Sequence, residues 1–252
     1  MQALILVAAA VFLPLFPLGM VFNVIFQRVR HAWLRSVLLL IWPLTGIGLL
    51  YKAAVEVPEW FALWGLASAA LYGFRAVVIR EVGVWTGFLA TSAWALSWVA
   101  LVNGLAADVL VLHVLAFSLP LVLLVFVAAE VERRYESTYA GVVGGLAQAQ
   151  PRLAGVFAVT MLAGIGSPMF PAFFAVLDNI THVAVVAPVV AFGVAAVWLS
   201  WSWSGIRLLQ ELLTGPAGRS QVGDIAQGVT VAYGMSLLVL LVSGVYLSGV
   251  ML

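Results

Sequence analysis

The chain has no cysteine, and Lys52 is its only lysine. Disulfides, thiolate metal sites and iron–sulfur ligation within it are therefore excluded. Charge is scarce as well: 8% of the 252 residues are Asp, Glu, Lys or Arg, while 65% are hydrophobic. Mean hydropathy is +1.17. So few charges cannot form the polar shell of a soluble domain, so the bilayer is the solvent. A net charge of +1 offers no basic face for nucleic acid. Phosphate-cradling glycine loops and hydrolytic triads are missing, and no cofactor is expected in the chain. Haem would need paired axial ligands, and His113 and His182 are the only intramembrane candidates.

What is present are long apolar runs. Eight of them, 3–26, 33–51, 60–79, 82–102, 108–131, 153–177, 182–203 and 229–252, predict an all-α integral membrane protein of about eight helices. Runs as uniformly apolar as 109–129 lack the alternation of a β-barrel, and unpaired backbone is not tolerated in lipid. Arg28, Arg30, Arg35, Arg75, Arg80, Arg133, Arg134, Arg152, Arg207 and Arg219 fall in or beside the first, third, fifth and seventh loops; Lys52 alone falls on the other face, with Glu56 and Glu59. The positive-inside rule then places both termini outside the cytoplasm, in what is expected to be a bacterial inner membrane. The first run has no basic start or small-residue cleavage site, and Pro14 and Pro17 interrupt it, so it reads as a retained helix. Trp33, Trp60 and Trp203 are expected at span ends, at the headgroups. Trp94 and Trp98 share a helix face, for packing, lipid contact or quinone stacking.

No soluble domain is expected, since the longest polar stretches are 132–151 and 214–228. An internal repeat is not visible, which counts against an independent carrier. The sixth run contains Ala163-Gly164-Ile165-Gly166-Ser167-Pro168-Met169-Phe170-Pro171. Pro168 and Pro171 remove backbone donors and clash with the preceding turn; Gly164 and Gly166 loosen the same segment. The sequence predicts either a simple kink or a discontinuous helix of the kind that builds ion sites.

From Gly144-Gly145-Leu146 through Pro151 to Gly164-Ile165-Gly166-Ser167-Pro168-Met169-Phe170-Pro171-Ala172-Phe173-Phe174, the chain resembles the C-terminal half of antiporter-like membrane subunits. These are the proton-translocating subunits of respiratory complex I and the large subunits of Mrp-type antiporters. The run 113–119 and Glu130-Val131-Glu132-Arg133-Arg134 fall in register with them. On this basis the chain divides into divergent helices at 1–74, an antiporter-like part at 75–213, and a loop with a last helix at 214–252. The resemblance implies a His and a buried Lys where this chain has Phe117 and Leu121. It implies a Lys or Glu where this chain has Val176, with Asp178 two positions on.

The remaining candidates for a proton path are few. His113 is expected inside the fifth span, as a relay or as a hydrogen-bonded packing residue. Asp108, Asp178 and His182 are expected together at the outer face, as a proton entry or as solvated helix ends. Glu130, Glu132, Arg133 and Arg134 are expected to form an inner rim. Arg75 either snorkels, or pairs with a carboxylate such as Glu81 or Glu130, or pairs with a partner subunit. Asn179-Ile180-Thr181 has the form of a glycosylation acceptor. The resemblance implies a subunit that works with other membrane subunits in an ion-coupled complex. One version is proton movement driving vectorial CO2 hydration, with zinc in a cytoplasmic hydratase-like partner; the alternative is a non-conducting scaffold.

Overall fold

The computed structural model describes residues 2–53, 55–215 and 223–251; Pro216, Gly218 and Arg219 lie outside the described residues. Among the described residues the regular secondary structure is all helix, with two isolated β-bridges in the loops. The first apolar run is not one helix. Pro14 and Pro17 divide it into α1 (Gln2–Phe12) and α2 (Met20–Arg28). Next come α3 (Ala32–Lys52), α4 (Trp60–Val78), α5 (Val82–Ala95), the short α6 (Ser97–Val102) and α7 (Ala107–Tyr135). A single turn, α8 (Leu146–Ala149), leads to α9 (Pro151–Gly164), α10 (Pro171–Val186), α11 (Pro188–Leu213) and α12 (Gln227–Met251). Among the described residues, six stretches are long and apolar enough to cross a membrane: α3, α4, α5 with α6, α7, α11 and α12. Three shorter apolar helices, α1, α9 and α10, complete the set.

The helix starts follow local chemistry. Pro151, Pro171 and Pro188 each stand in a first turn, where the missing N–H costs nothing. Glu81 caps α5, accepting from the Gly83 and Val84 amides at 2.8 and 2.5 Å. Pro188 also corrects an expected boundary. A turn was expected between 177 and 182, but α10 continues through Asp178 and His182 to Val186, and α11 starts at Pro188. Trp203 consequently lies well inside α11 on its exposed side, not at a span end.

The loops that carry the arginines meet at one end of the bundle. Arg80 accepts from Ala140, and Val82 donates to Thr138, so the third and fifth loops are in contact. The Gly145 amide donates to Thr214, and the Arg152 and Leu153 amides donate to Asp224, which brings in the seventh. At the opposite end the Tyr51 hydroxyl donates to the Leu105 carbonyl. The α5–α6 stretch is the axis of the bundle: 83% of its apolar window is buried, against 33% for α11. Trp85, Trp94 and Trp98 are fully enclosed along it.

Candidate functional site

Two helix interruptions flank this axis, and tryptophans cap both. Residues 165–170 leave the helical path between α9 and α10, with Gly166 and Met169 at φ 72° and 78°. The Trp198 indole N–H is shared between the Ile165 and Gly166 carbonyls, at 3.1 and 3.2 Å. Between α1 and α2, Trp98 donates to Leu13 at 2.9 Å and Trp64 to Phe16 at 2.9 Å. Trp42 donates to Val11 at 3.0 Å, and the Phe16 amide donates to the Ser68 hydroxyl at 2.9 Å. Carbonyls freed in lipid must find donors inside the protein. The indoles supply them while remaining apolar elsewhere, a role that the sequence reading of these residues as packing or lipid contacts missed.

A titratable pair lies beside the axis. His113 on α7 and Asp178 on α10, 65 positions apart, meet with Nε2 2.6 Å from Oδ2. Their side chains are 2% and 1% exposed. Asp178 is therefore not a solvated helix end. A lone buried carboxylate would be costly, and an imidazole at this distance offsets that cost through a charge-assisted hydrogen bond. Whichever group carries it, the shared proton lies on this contact.

His182, one turn along α10, opens the pair to the surface, with its side chain 55% exposed. Its Nδ1 stands 2.8 Å from Asp178 Oδ1 but is aligned on the Asp178 carbonyl oxygen at 3.1 Å. Oδ1 thus has a close electrostatic neighbour and no aligned donor. Next to it, Asn179 donates to the Leu96 carbonyl at the α5–α6 joint, at 3.3 Å. Asn179 is 3% exposed, so the glycosylation signature is sealed in the bundle. A cavity of about 10 Å3, bounded by Asn103, His113, Asp178, Asn179 and His182, has room for one water.

The other candidates stand apart from this cluster. Asp108 is exposed in the first turn of α7, with no hydrogen bond or ion pair among the described residues. Glu130 pairs with Arg133 at 2.6 Å and Arg134 at 2.5 Å. Arg75 is exposed and pairs with neither Glu81 nor Glu130. Glu81 is occupied by its cap and by the Thr138 hydroxyl at 2.8 Å. On α7 no titratable side chain lies between His113 and Glu130, a rise of roughly 25 Å. Phe117 and Leu121 are buried there, and Leu121 packs towards Gly164 at the end of α9.

Solved structures with the same fold come from respiratory membrane complexes and from an Mrp complex. A chain of respiratory complex I from Thermus thermophilus with bound NADH aligns at TM-score 0.82 and 20% identity, over 96% of this chain and 54% of that one. A chain of the Mrp complex from Dietzia sp. DQ12-45-1b aligns at TM-score 0.86 and 15% identity, over 99% and 57%. A chain of the membrane-bound sulfane sulfur reductase, an archaeal respiratory membrane complex, aligns at 0.81 and 17%, over 99% and 53%. The chain thus spans a little over half the length of the proteins it matches. No protein-family profile matches the sequence, and no curated protein does.

Proposed function

We propose that the chain is an antiporter-like membrane subunit of a multi-subunit ion-coupled complex, and that His113, Asp178 and His182 form its proton-handling site. The buried 2.6 Å contact between His113 and Asp178 carries this reading. Titratable pairs inside a membrane bundle are expensive and mark ion paths. Exposed His182 is the entry, and Asp178 exchanges protons between the two imidazoles. In this reading α1 with α2 and α9 with α10 are interrupted crossings, giving eight in all. Both termini lie outside, and the arginine-rich end, with Glu130 as its rim, faces the cytoplasm. The partners are other membrane subunits. A cytoplasmic zinc hydratase-like protein, drawing on proton flow for CO2 hydration, is the version we favour.

A scaffold reading has its own support, the apolar stretch of α7 between His113 and Glu130. Asp178→Asn separates the two. It keeps a hydrogen-bonding side chain of the same shape beside His113 but cannot exchange a proton. The proton-handling reading expects at least about a 100-fold loss of proton-coupled activity, the scale of a lost acid–base group, in a complex assembled to normal yield. Unchanged activity in Asp178→Asn selects the scaffold.

A further inference from the structure

We infer a binding site for one anionic phospholipid on the outer surface of the α4–α11 pair, its acyl chain in the groove between them and its phosphate on Arg75, Arg80 and Arg207. The inference does not depend on the proposed function. The groove has a volume of about 460 Å3 and runs along α4 from Leu63 to Phe74, opposite Gly193 and Ala196 of α11. At 1.5 Å per residue that run is roughly 16 Å long, which matches one leaflet of a hydrocarbon core about 30 Å thick.

The charge stands at one end of the groove, on the arginine-rich side. Arg75 follows Phe74 directly, and Ile79, one turn on, accepts from Arg207 at 3.2 Å. Arg80 and Arg207 both approach Glu211, but only to 4.0 Å. Arg80 and Arg207 thus share one carboxylate and exposed Arg75 has no ion pair among the described residues, since neighbouring Glu81 is spent on the α5 cap. Each guanidinium carries five N–H donors. Among the described residues, the bond from Arg207 to Ile79 is the only hydrogen bond these three side chains make to protein. A phosphodiester supplies acceptors in the forked geometry that guanidinium prefers. Charge excess, unspent donors and a groove of leaflet length together select a lipid over a soluble anion, which would leave the groove unfilled.

The purified full chain should be examined by native mass spectrometry in detergent, titrated separately with phosphatidylglycerol and phosphatidylcholine. One phosphatidylglycerol per chain is expected to be retained at least about 5-fold more tightly, the scale of one basic side chain at an anionic bilayer surface. Arg75→Gln with Arg207→Gln should remove the preference. Ala196→Phe, which fills the groove and leaves the charges, should remove retention itself. Equal retention of the two lipids by the wild type overturns the site. So does an Ala196→Phe chain that still retains phosphatidylglycerol, since attraction to the arginine surface alone then suffices. A photo-crosslinker at position 70 should label lipid in native membranes; labelling of polypeptide alone assigns the groove to a partner helix and equally overturns the proposal. Far-ultraviolet circular dichroism of each variant confirms that the bundle is intact.

Discussion

Trp98 donates its indole N–H to the carbonyl oxygen of Leu13 at 2.9 Å, tying α6 to the interruption between α1 and α2. Both residues are fully buried, so no solvent can replace the bond. Trp98→Phe keeps most of the aromatic volume and strands the carbonyl. We expect a loss of about 1–3 kcal/mol, the cost of a buried unsatisfied group. Thermal unfolding in detergent measures it. Trp203→Phe, on an exposed indole, serves as the control and should be silent.

Gly244 gives a sharper case. A Cβ there would overlap the Met169 carbonyl oxygen and come within 2.9 Å of the Phe170 carbonyl carbon. These are backbone atoms of the α9–α10 interruption, so no side chain can swing aside. Gly244→Ala should lower the yield of folded protein and the unfolding temperature. Gly234, on the same helix with no atom near its Cβ position, should accept alanine with little change or a slight gain. Equal effects at the two sites would show that α12 does not rest on the interruption.

Removing His113 and removing the Asp178 charge should differ. His113→Leu leaves a buried carboxylate without its imidazole, which costs about 3–5 kcal/mol. Asp178→Asn removes the charge with it and should cost far less. Combined in one chain, His113→Leu and Asp178→Asn should be less destabilised than the sum of the singles, with a coupling of about 1–3 kcal/mol. Strict additivity would show that the pair is not in contact.

Topology can be read by labelling, because the sequence has no cysteine of its own. Val142 is 71% exposed in the fifth loop. Val142→Cys should react only with reagents that reach the cytoplasm, and Glu56→Cys with impermeant reagents applied outside. The reverse pattern inverts the proposed orientation.

The membrane class and the all-helical fold could be read from composition and run length, because lipid leaves so few alternatives. The His113–Asp178 partnership was harder to see. Asp178, Asn179, Thr181 and His182 together look like a loop, yet they form part of α10. Three of them make hydrogen bonds inside the bundle: Asp178 with His113, Asn179 with the Leu96 carbonyl, Thr181 with the Asp178 carbonyl. The usable signal was Pro188, which marks where α11 starts. The tryptophan caps were hidden for a related reason. Trp64 and Trp98 lie 48 and 85 positions from the carbonyls they serve, and nothing local in the sequence pairs them.

The Asp224 cap sets an order on biosynthesis. Its carboxylate holds the Arg152 and Leu153 amides at 2.7 and 3.1 Å across about seventy residues of chain. A nascent polypeptide that has just delivered α9 to the membrane therefore has no anion at that helix start. While α10 and α11 are translated, the first turn of α9 has water in place of its carboxylate cap. Synthesis of the segment around Asp224 then closes the turn from a distance, and the later arrival of Gly244 seats α12 on the interruption. A ribosome stalled before Asp224 should hold a bundle whose α9 start is open to hydrogen exchange, and release from the stall should protect it.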